Sequence, residues 1–487
     1  MSITPLGFIL IPLSLFIFYF RPKYLTSWAI IVSAFQAASV VNIGGGFAIG
    51  VSPYFFVVSL VAVRFAVASL EGRLSFKRGD MALDLTRPLL MFAAWGVASA
   101  FLLPHLFAGI HVDTPRLGMD PVSTTPLEWS MSNAAQAGYL ILNSIFVIYV
   151  MWRSTESDYI DQLANSFVWC GAIAAAVGAY QLAAHVLGFR FPAEVFNSNA
   201  GWQQLVSQKV AGAWRVSATF NEPSSAGIFF AAWTTYLLFL TIDRRSVTGV
   251  LWVLFWCGIV MLILTTSTTG YITAFILIAL LIVKELGTLT TKGYVNEKLL
   301  LTFAAIVTAL GAAALLIPDF HQLLSEILWY KSQSHSGHER HSTILVALDV
   351  AAQSYGLGVG LGSNRPSGML FYILSNVGIP GSILILGLIF ATRRMFVRAM
   401  RAVETSNKIQ AYMRSAAWAL AMYCVAMSIS GADISSPHLW ILWSLVVGFA
   451  RYTLEAPRLI STSELGNGAM GTIKEKIVLL TPEFRVG

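Results

Sequence analysis

The chain has 487 residues, of which 56% are hydrophobic and only 11% charged, and its mean hydropathy is +0.70. A soluble globular domain carries roughly 25% charged residues, so this composition excludes a soluble enzyme with a single anchor and indicates a polytopic membrane protein. The net charge of +7 does not by itself indicate a nucleic-acid partner, because cytoplasmic loops of membrane proteins collect Lys and Arg.

A bilayer-spanning helix needs about 20 predominantly apolar residues. Such runs predict thirteen spans, near 6–20, 25–42, 52–70, 89–103, 134–152, 163–187, 225–242, 249–266, 270–285, 299–317, 369–391, 413–430 and 438–453. The runs are continuous rather than alternating, which argues against a β-barrel. The expected fold is an all-α polytopic transmembrane helical bundle of about 12–13 spans. It forms one membrane domain over 1–453, with a polar, Gly- and Ser-bearing tail over 454–487.

Basic residues set the topology. One side receives 23 Lys and Arg, and the other seven: Arg116, Arg190, Lys209, Arg215, Lys331, Arg340 and Arg365. The richer side, with the tail, is predicted to be cytoplasmic. An odd span count then puts the N-terminus outside; a re-entrant hairpin of the first two runs would lower the count to twelve and reverse it. No cleavable signal is expected, because Arg21 and Lys23 follow the first apolar run instead of preceding it. Cys170, Cys257 and Cys424 all lie in apolar runs and read as packing residues.

The external side carries three sizeable loops, near 104–133, 188–224 and 318–368. The second ends in W-R-V-S-A-T-F-N-E-P-S-S-A-G (214–227), just before a span. Guanidinium suits bidentate contact with phosphate, so Arg215, Arg340 and Arg365 are candidates for a diphosphate clamp. Glu222 precedes Pro223 at the mouth of a span. It reads either as an ion-pair partner of Arg215 or as a carboxylate that orients or deprotonates an acceptor hydroxyl.

The segment S-H-S-G-H-E-R-H-S (334–342) places His335, His338, Glu339, Arg340 and His341 together. It lacks the H-E-x-x-H metal pattern. His338 or His341 is a candidate acid, base or phosphate donor, weighed against ordinary loop histidines. In T-T-S-T-T-G (265–270), Ser267, Thr268 and Thr269 form either a hydroxyl pocket or a simple hairpin turn. The run G-L-G-V-G-L-G (356–362) lacks the lysine of a phosphate loop and reads as a flexible or closely packed approach to the next span. Arg64 and Asp349 are charges within or near spans. The basic run 393–401 reads as topology control or as a contact with anionic headgroups.

The order of these motifs resembles the O-antigen ligase and O-antigen polymerase superfamily of bacterial inner-membrane glycosyltransferases. The matching pieces are R-V-S-A-T-F-N-E-P-S-S-A-G (215–227), S-T-T-G (267–270), S-G-H-E-R (336–340), G-L-G-V-G-L-G-S-N-R-P-S-G (356–368) and N-V-G-I-P-G (376–381). Together they cover roughly 205–390. The resemblance implies a metal-independent inverting transferase without a cofactor, of the membrane-embedded glycosyltransferase type with a large periplasmic loop. Its donor would be a glycan on undecaprenyl diphosphate, used at the periplasmic face. Arg215 matches the arginine near the lipid diphosphate, and Arg340 that of the large loop. Where ligases carry a histidine, this chain reads N-R-P-S-G with Arg365, and the serine-arginine turn is Thr268-Thr269. The Glu222-Pro-Ser pattern is closer to exopolysaccharide and O-antigen polymerases.

The resemblance therefore implies polymerisation of lipid-linked repeat units. Arg215, Glu222, Arg340, His338 and His341 are the catalytic candidates, and Arg365, Asn221, Ser224 and Thr268 the substrate-binding ones. The implied partners are undecaprenyl-diphosphate-linked glycans, membrane lipids, a chain-length regulator and polysaccharide export proteins, without nucleic acid. Two other readings compete. One is ligation of the glycan onto lipid A core. The other is a polysaccharide or lipid transporter, which predicts several deep intraspan charges and symmetry between halves.

Overall fold

Apolar runs of this length fold as helices because lipid offers no hydrogen bonds, so each backbone group must be satisfied within its own segment. The computed structural model describes residues 1–44, 49–73, 81–113, 124–210, 212–243, 249–293, 296–302, 304, 335–402, 407–431 and 433–466. It is an all-α bundle trimmed with short β-hairpins.

Strand β1 (Ser2–Ile3) leads into α1 (Pro5–Phe20), where the Thr4 hydroxyl accepts from the Gly7 amide at 3.0 Å. After a turn at Pro22–Tyr24, the chain bends by 119° into α2 (Leu25–Val32). The sequence predicts a span over 25–42; the helix is only eight residues long. The reason is tertiary. Residues 33–40 leave the helix to bond distant backbone: Ala37 donates to Thr219 O at 2.9 Å and accepts from the Asn199 amide at 3.0 Å. Thr4 N donates to Val40 O at 3.2 Å, so the α1–α2 pair begins and finishes at the same end of the molecule. Strands β2 (Val41–Ile43) and β3 (Ile49–Val51) pair antiparallel there, with β1 on the outer edge.

Helices α3 (Pro53–Leu70), α4 (Met81–Leu106), α5 (Met131–Arg153) and α6 (Ser157–Leu187) follow, with the hairpin β4–β5 (His111–Asp113, Thr124–Pro126) between α4 and α5. The short α7 (Ala193–Phe196) and the hairpin β6–β7 (Lys209–Val210, Ala213–Trp214) precede α8 (Pro223–Asp243). Then come α9 (Gly249–Leu264), α10 (Thr268–Lys292), α11 (His335–Gln353), α12 (Met369–Ala402), α13 (Asn407–Ser430) and α14 (Pro437–Gly466).

Among the described residues, seven helices are long and apolar enough to cross a membrane: α3, α4, α5, α6, α8, α10 and α12. The bent α1–α2 pair makes eight if it is one span. The larger number expected from sequence included the shorter α9 and the more polar α13 and α14. The run 299–317 falls almost wholly outside the described residues.

Helix α8 is the centre: 89% of its apolar stretch is buried, against 61% for the next, α5. It packs most extensively on α13, and α9, α10 and α6 also pack on it. Small residues let the backbones approach, as membrane helix interfaces require. Trp233 of α8 lies over Gly171 of α6, where a Cβ would come within 2.1 Å of the indole nitrogen, and beside Gly258 of α9, where a Cβ would meet Trp233 ring carbons at 3.2 Å. Phe239 stacks on Trp418 of α13 at 5.0 Å. A second group, α3, α4, α5, α12 and α14, packs alongside. Ion pairs close the end opposite the strands: Lys408–Asp161 at 2.6 Å and Arg414–Asp243 at 3.4 Å.

The glycine-rich run 356–362 is a packed element. Val359 N donates to Ser375 O (2.9 Å), Gly360 N to Asn376 O (2.8 Å) and Ile379 N to Gly356 O (2.8 Å). It lies against a break in α12, where Gly378 has φ +67 and ψ −167. A Cβ on Gly378 would sit 2.3 Å from Leu357 O. Only glycine takes this conformation without steric cost, and only glycine leaves room for the run.

Candidate functional site

Arg215 follows β7 directly and is buried, 7% exposed. An arginine in such a place requires fixed partners. Its Nε donates to Thr266 Oγ1 at 2.9 Å and Thr265 O at 3.2 Å, one terminal nitrogen to Gln208 Oε1 at 2.7 Å, and the other to Thr266 O at 3.4 Å. Guanidinium has five N–H donors. Among the described residues, this leaves one N–H on each terminal nitrogen for a ligand.

The partner turn is itself constrained. Thr266 has φ +44, a left-handed conformation unusual for a β-branched residue. Ala218, three residues after Arg215, has φ +52. Gln181 of α6, fully buried, clamps that second turn. Its Oε1 accepts from Ser217 N at 3.0 Å and Ala218 N at 2.8 Å, and its Nε2 donates to Val206 O and Ser217 Oγ, both at 3.1 Å. Non-glycine residues in this region cost on the order of 1–3 kcal/mol and concentrate at functional sites. Two of them flank one arginine here.

Glu222 is half-buried at the start of α8. Its carbonyl accepts the first helical bond, from Ala226 N at 3.2 Å, and its carboxylate accepts from Ser225 Oγ at 3.3 Å. Pro223 at the first helical position has no N–H to lose. The turns 214–227 and 265–270 pack on each other. A Cβ at Gly227 would lie 2.5 Å from Ser267 Cβ, and one at Gly270 would lie 3.3 Å from Gly227 O. Ser267 caps α10 by accepting from Gly270 N at 3.3 Å, and Thr269 Oγ1 donates to Ser430 Oγ of α13 at 2.9 Å.

Charges complete the centre. Burial holds the Arg215 pKa below the usual guanidinium value; Glu222 and Tyr271 push it back up, and Arg340 lowers it further. Arginine nevertheless remains charged in proteins. Arg215 therefore lies within electrostatic reach of one carboxylate and of a second guanidinium, so among the described side chains the positive charge exceeds the negative. The N-termini of α8 and α10 lie at the same place, and their dipoles add to it. The arrangement suits an anion with several oxygens.

The structure brings Arg340 within electrostatic reach of Arg215, which lies more than a hundred residues earlier in the chain, close to Glu222. Ser224 and Thr268 are half-buried in the two packed turns, and Asn221 is half-buried with its carbonyl accepting from Leu205 N at 2.7 Å. Arg340 and His341 open the described side chains of α11; Arg340 is half-buried and His341 exposed. The side chains of His335, His338 and Glu339 lie outside the described residues. Arg365 is exposed and belongs to a neighbouring cluster, with Asp433, Tyr139 and Tyr372. Arg64 lies over the Phe18 ring at 5.4 Å, and Asp349 accepts from Gln353 at 2.7 Å. Sequence reasoning missed Gln181, Gln208 and the Thr265–Thr266 carbonyls. A glutamine inside an apolar run was the one available signal for Gln181. Against models of known protein families and against curated proteins, the chain matches none.

Proposed function

We propose that the chain is a polysaccharide polymerase of the bacterial inner membrane. It would join glycan repeat units carried on undecaprenyl diphosphate, at the periplasmic face. The observation that carries this reading is the buried Arg215, held in place with two N–H groups uncommitted among the described residues and with Arg340 and Glu222 in electrostatic reach.

In the proposed reaction, an acceptor sugar hydroxyl attacks the anomeric carbon of the donor glycan. A new glycosidic C–O bond forms, and the C–O bond to the diphosphate breaks. The undecaprenyl diphosphate leaves with the electron pair, and Arg215 and Arg340 stabilise its developing charge, as preorganised donors do. The Glu222 carboxylate takes the hydroxyl proton and later releases it to water. Activation resides in the lipid carrier, so the reading requires no nucleotide. A chain-length regulator and export proteins would act alongside.

The test is to substitute Arg215 or Arg340 by Ala or Lys and measure polymer length in membranes supplied with purified lipid-linked repeat units. Chain growth should fail in each variant; unchanged chains would sink the clamp assignment. Activity should persist in excess chelator. In a null strain, single repeats on the carrier are expected. Accumulation of long polymer on the carrier would instead indicate a ligase.

A further inference from the structure

A second polar cluster lies at the same end of the bundle, and the diphosphate chemistry does not use it. Gln136 of α5, 4% exposed, donates from Nε2 to Asp433 Oδ2 at 3.1 Å. Asp433 Oδ1 accepts from both Ser435 N and Ser435 Oγ at 2.7 Å. Arg365 and Asp433 are both within electrostatic reach of the Tyr139 and Tyr372 hydroxyls. Gly362 abuts Gln136, where a Cβ would come within 2.8 Å of Cγ.

Three buried polar atoms of this cluster have no hydrogen-bond partner among the described residues: Gln136 Oε1, the Tyr372 hydroxyl and Asn364 Nδ2. The Tyr372 hydroxyl lies beside the Gly362 backbone without completing a bond. Flipping the Gln136 amide would not help, because it would point a carbonyl at a carboxylate. Buried polar atoms left this way cost about 1–3 kcal/mol each, so the cluster favours an occupant rich in both donors and acceptors. A carboxylate, a guanidinium, an amide and two phenols in one cluster are groups that bind sugar hydroxyls. An anion site, by contrast, would exclude Asp433.

The last turn of α13 links this cluster to Arg215. Ser430 bonds Thr269 on one side. On the other, the Ser428 carbonyl lies 2.9 Å from where a Cβ on Gly368 would stand, three residues from Arg365. Ser367 N donates to Thr343 Oγ1 of α11 at 3.2 Å, one turn from Arg340.

We propose that Gln136, Asp433, Arg365, Tyr139 and Tyr372 form the acceptor-sugar subsite, beside the diphosphate site and separated from it by the end of α13. This rests on the polymerase reading for its role in the reaction, but its ligand chemistry, a polyhydroxylated sugar, stands on the cluster itself. Arg365 is thereby assigned to the acceptor and not to the diphosphate. Asp433 and Gln136 bind and orient the acceptor.

The test uses the full chain in detergent and, as probe, the repeat-unit oligosaccharide released from the host's own carrier lipid by mild acid. Wild type should bind it saturably. Asp433→Asn keeps an oxygen for Ser435 and should weaken binding at least tenfold, as should Gln136→Leu. Arg215→Ala should abolish polymer formation yet leave oligosaccharide affinity within twofold. No saturable binding to wild type, or equal affinity in wild type and Asp433→Asn, overturns the proposal. Equal losses in Arg215→Ala and Asp433→Asn overturn it as well. Ser435→Ala controls for the turn: it removes one bond to Asp433 without removing a ligand group, and should bind like wild type. If binding behaves as expected but wild type fails to extend lipid-linked repeats, the polymerase reading falls and the sugar subsite stands. If wild type extends them and Asp433→Asn binds normally, only the subsite falls.

Discussion

Gln181 should control the Arg215 turn without touching any ligand. Replacing it by Met keeps the volume and removes both polar functions. Ser217 N and Ala218 N, now bonded to Oε1 at 3.0 and 2.8 Å, would be left buried without an acceptor. Each orphaned amide costs about 1–3 kcal/mol, so the turn loses at least about 2 kcal/mol of local stability. Since 1.4 kcal/mol is a factor of ten, amides in the peptide over 214–221 should exchange with deuterium about 30-fold faster. Polymer formation should fall with them, because Arg215 is held by the same turn. Ala218 has φ +52, so adding Ala218→Gly should recover part of the loss by removing strain. Mass-resolved hydrogen exchange on the purified protein reads this out. Exchange within threefold of wild type, with activity intact, would refute the reasoning.

Thr266→Val keeps the branched shape at φ +44 but removes the oxygen that accepts from Arg215 Nε at 2.9 Å. A hydrogen bond to a charged group contributes about 1.5–3 kcal/mol, so turnover should fall by roughly 10- to 100-fold, measured as initial rate of chain growth. Gly227→Ala should harm activity more than Gly270→Ala. Its Cβ would meet Ser267 Cβ at 2.5 Å, whereas the Gly270 Cβ meets the flexible end of Leu262 at 2.8 Å; the reverse order would count against the packed-turn geometry. Gly171→Ala drives a Cβ into the Trp233 indole. Overpacking of this kind costs about 1–3 kcal/mol or more and should lower the thermal midpoint in detergent, with Trp233→Phe restoring part of it.

The bundle itself was legible because long apolar runs have few alternatives in a membrane. Span limits were less so. Residues 33–40 look as apolar as a helix, yet their backbone is taken by Thr219 and Asn199, partners about 160–180 residues away that no local period announces. At the site, the charged members stood out because an arginine or glutamate beside an apolar run is costly and therefore conspicuous. Arg340 and Glu222 lie within electrostatic reach of Arg215. Their supports did not stand out. Gln181, Gln208 and Thr266 are common residues whose role exists only through contacts across helices. Asp433 was passed over for the same reason, since a short turn before a span gives an aspartate an ordinary capping use. The glycine run 356–362 was readable as either mobile or packed, and only the break at Gly378 decides between these.

That break has a consequence for how far the glycine run can move. A loop of alternating glycines would ordinarily be a mobile flap. Here Gly356 and Gly360 are bonded to the two sides of the α12 break, so the segment is bolted to the helix it precedes and cannot swing without unfolding it.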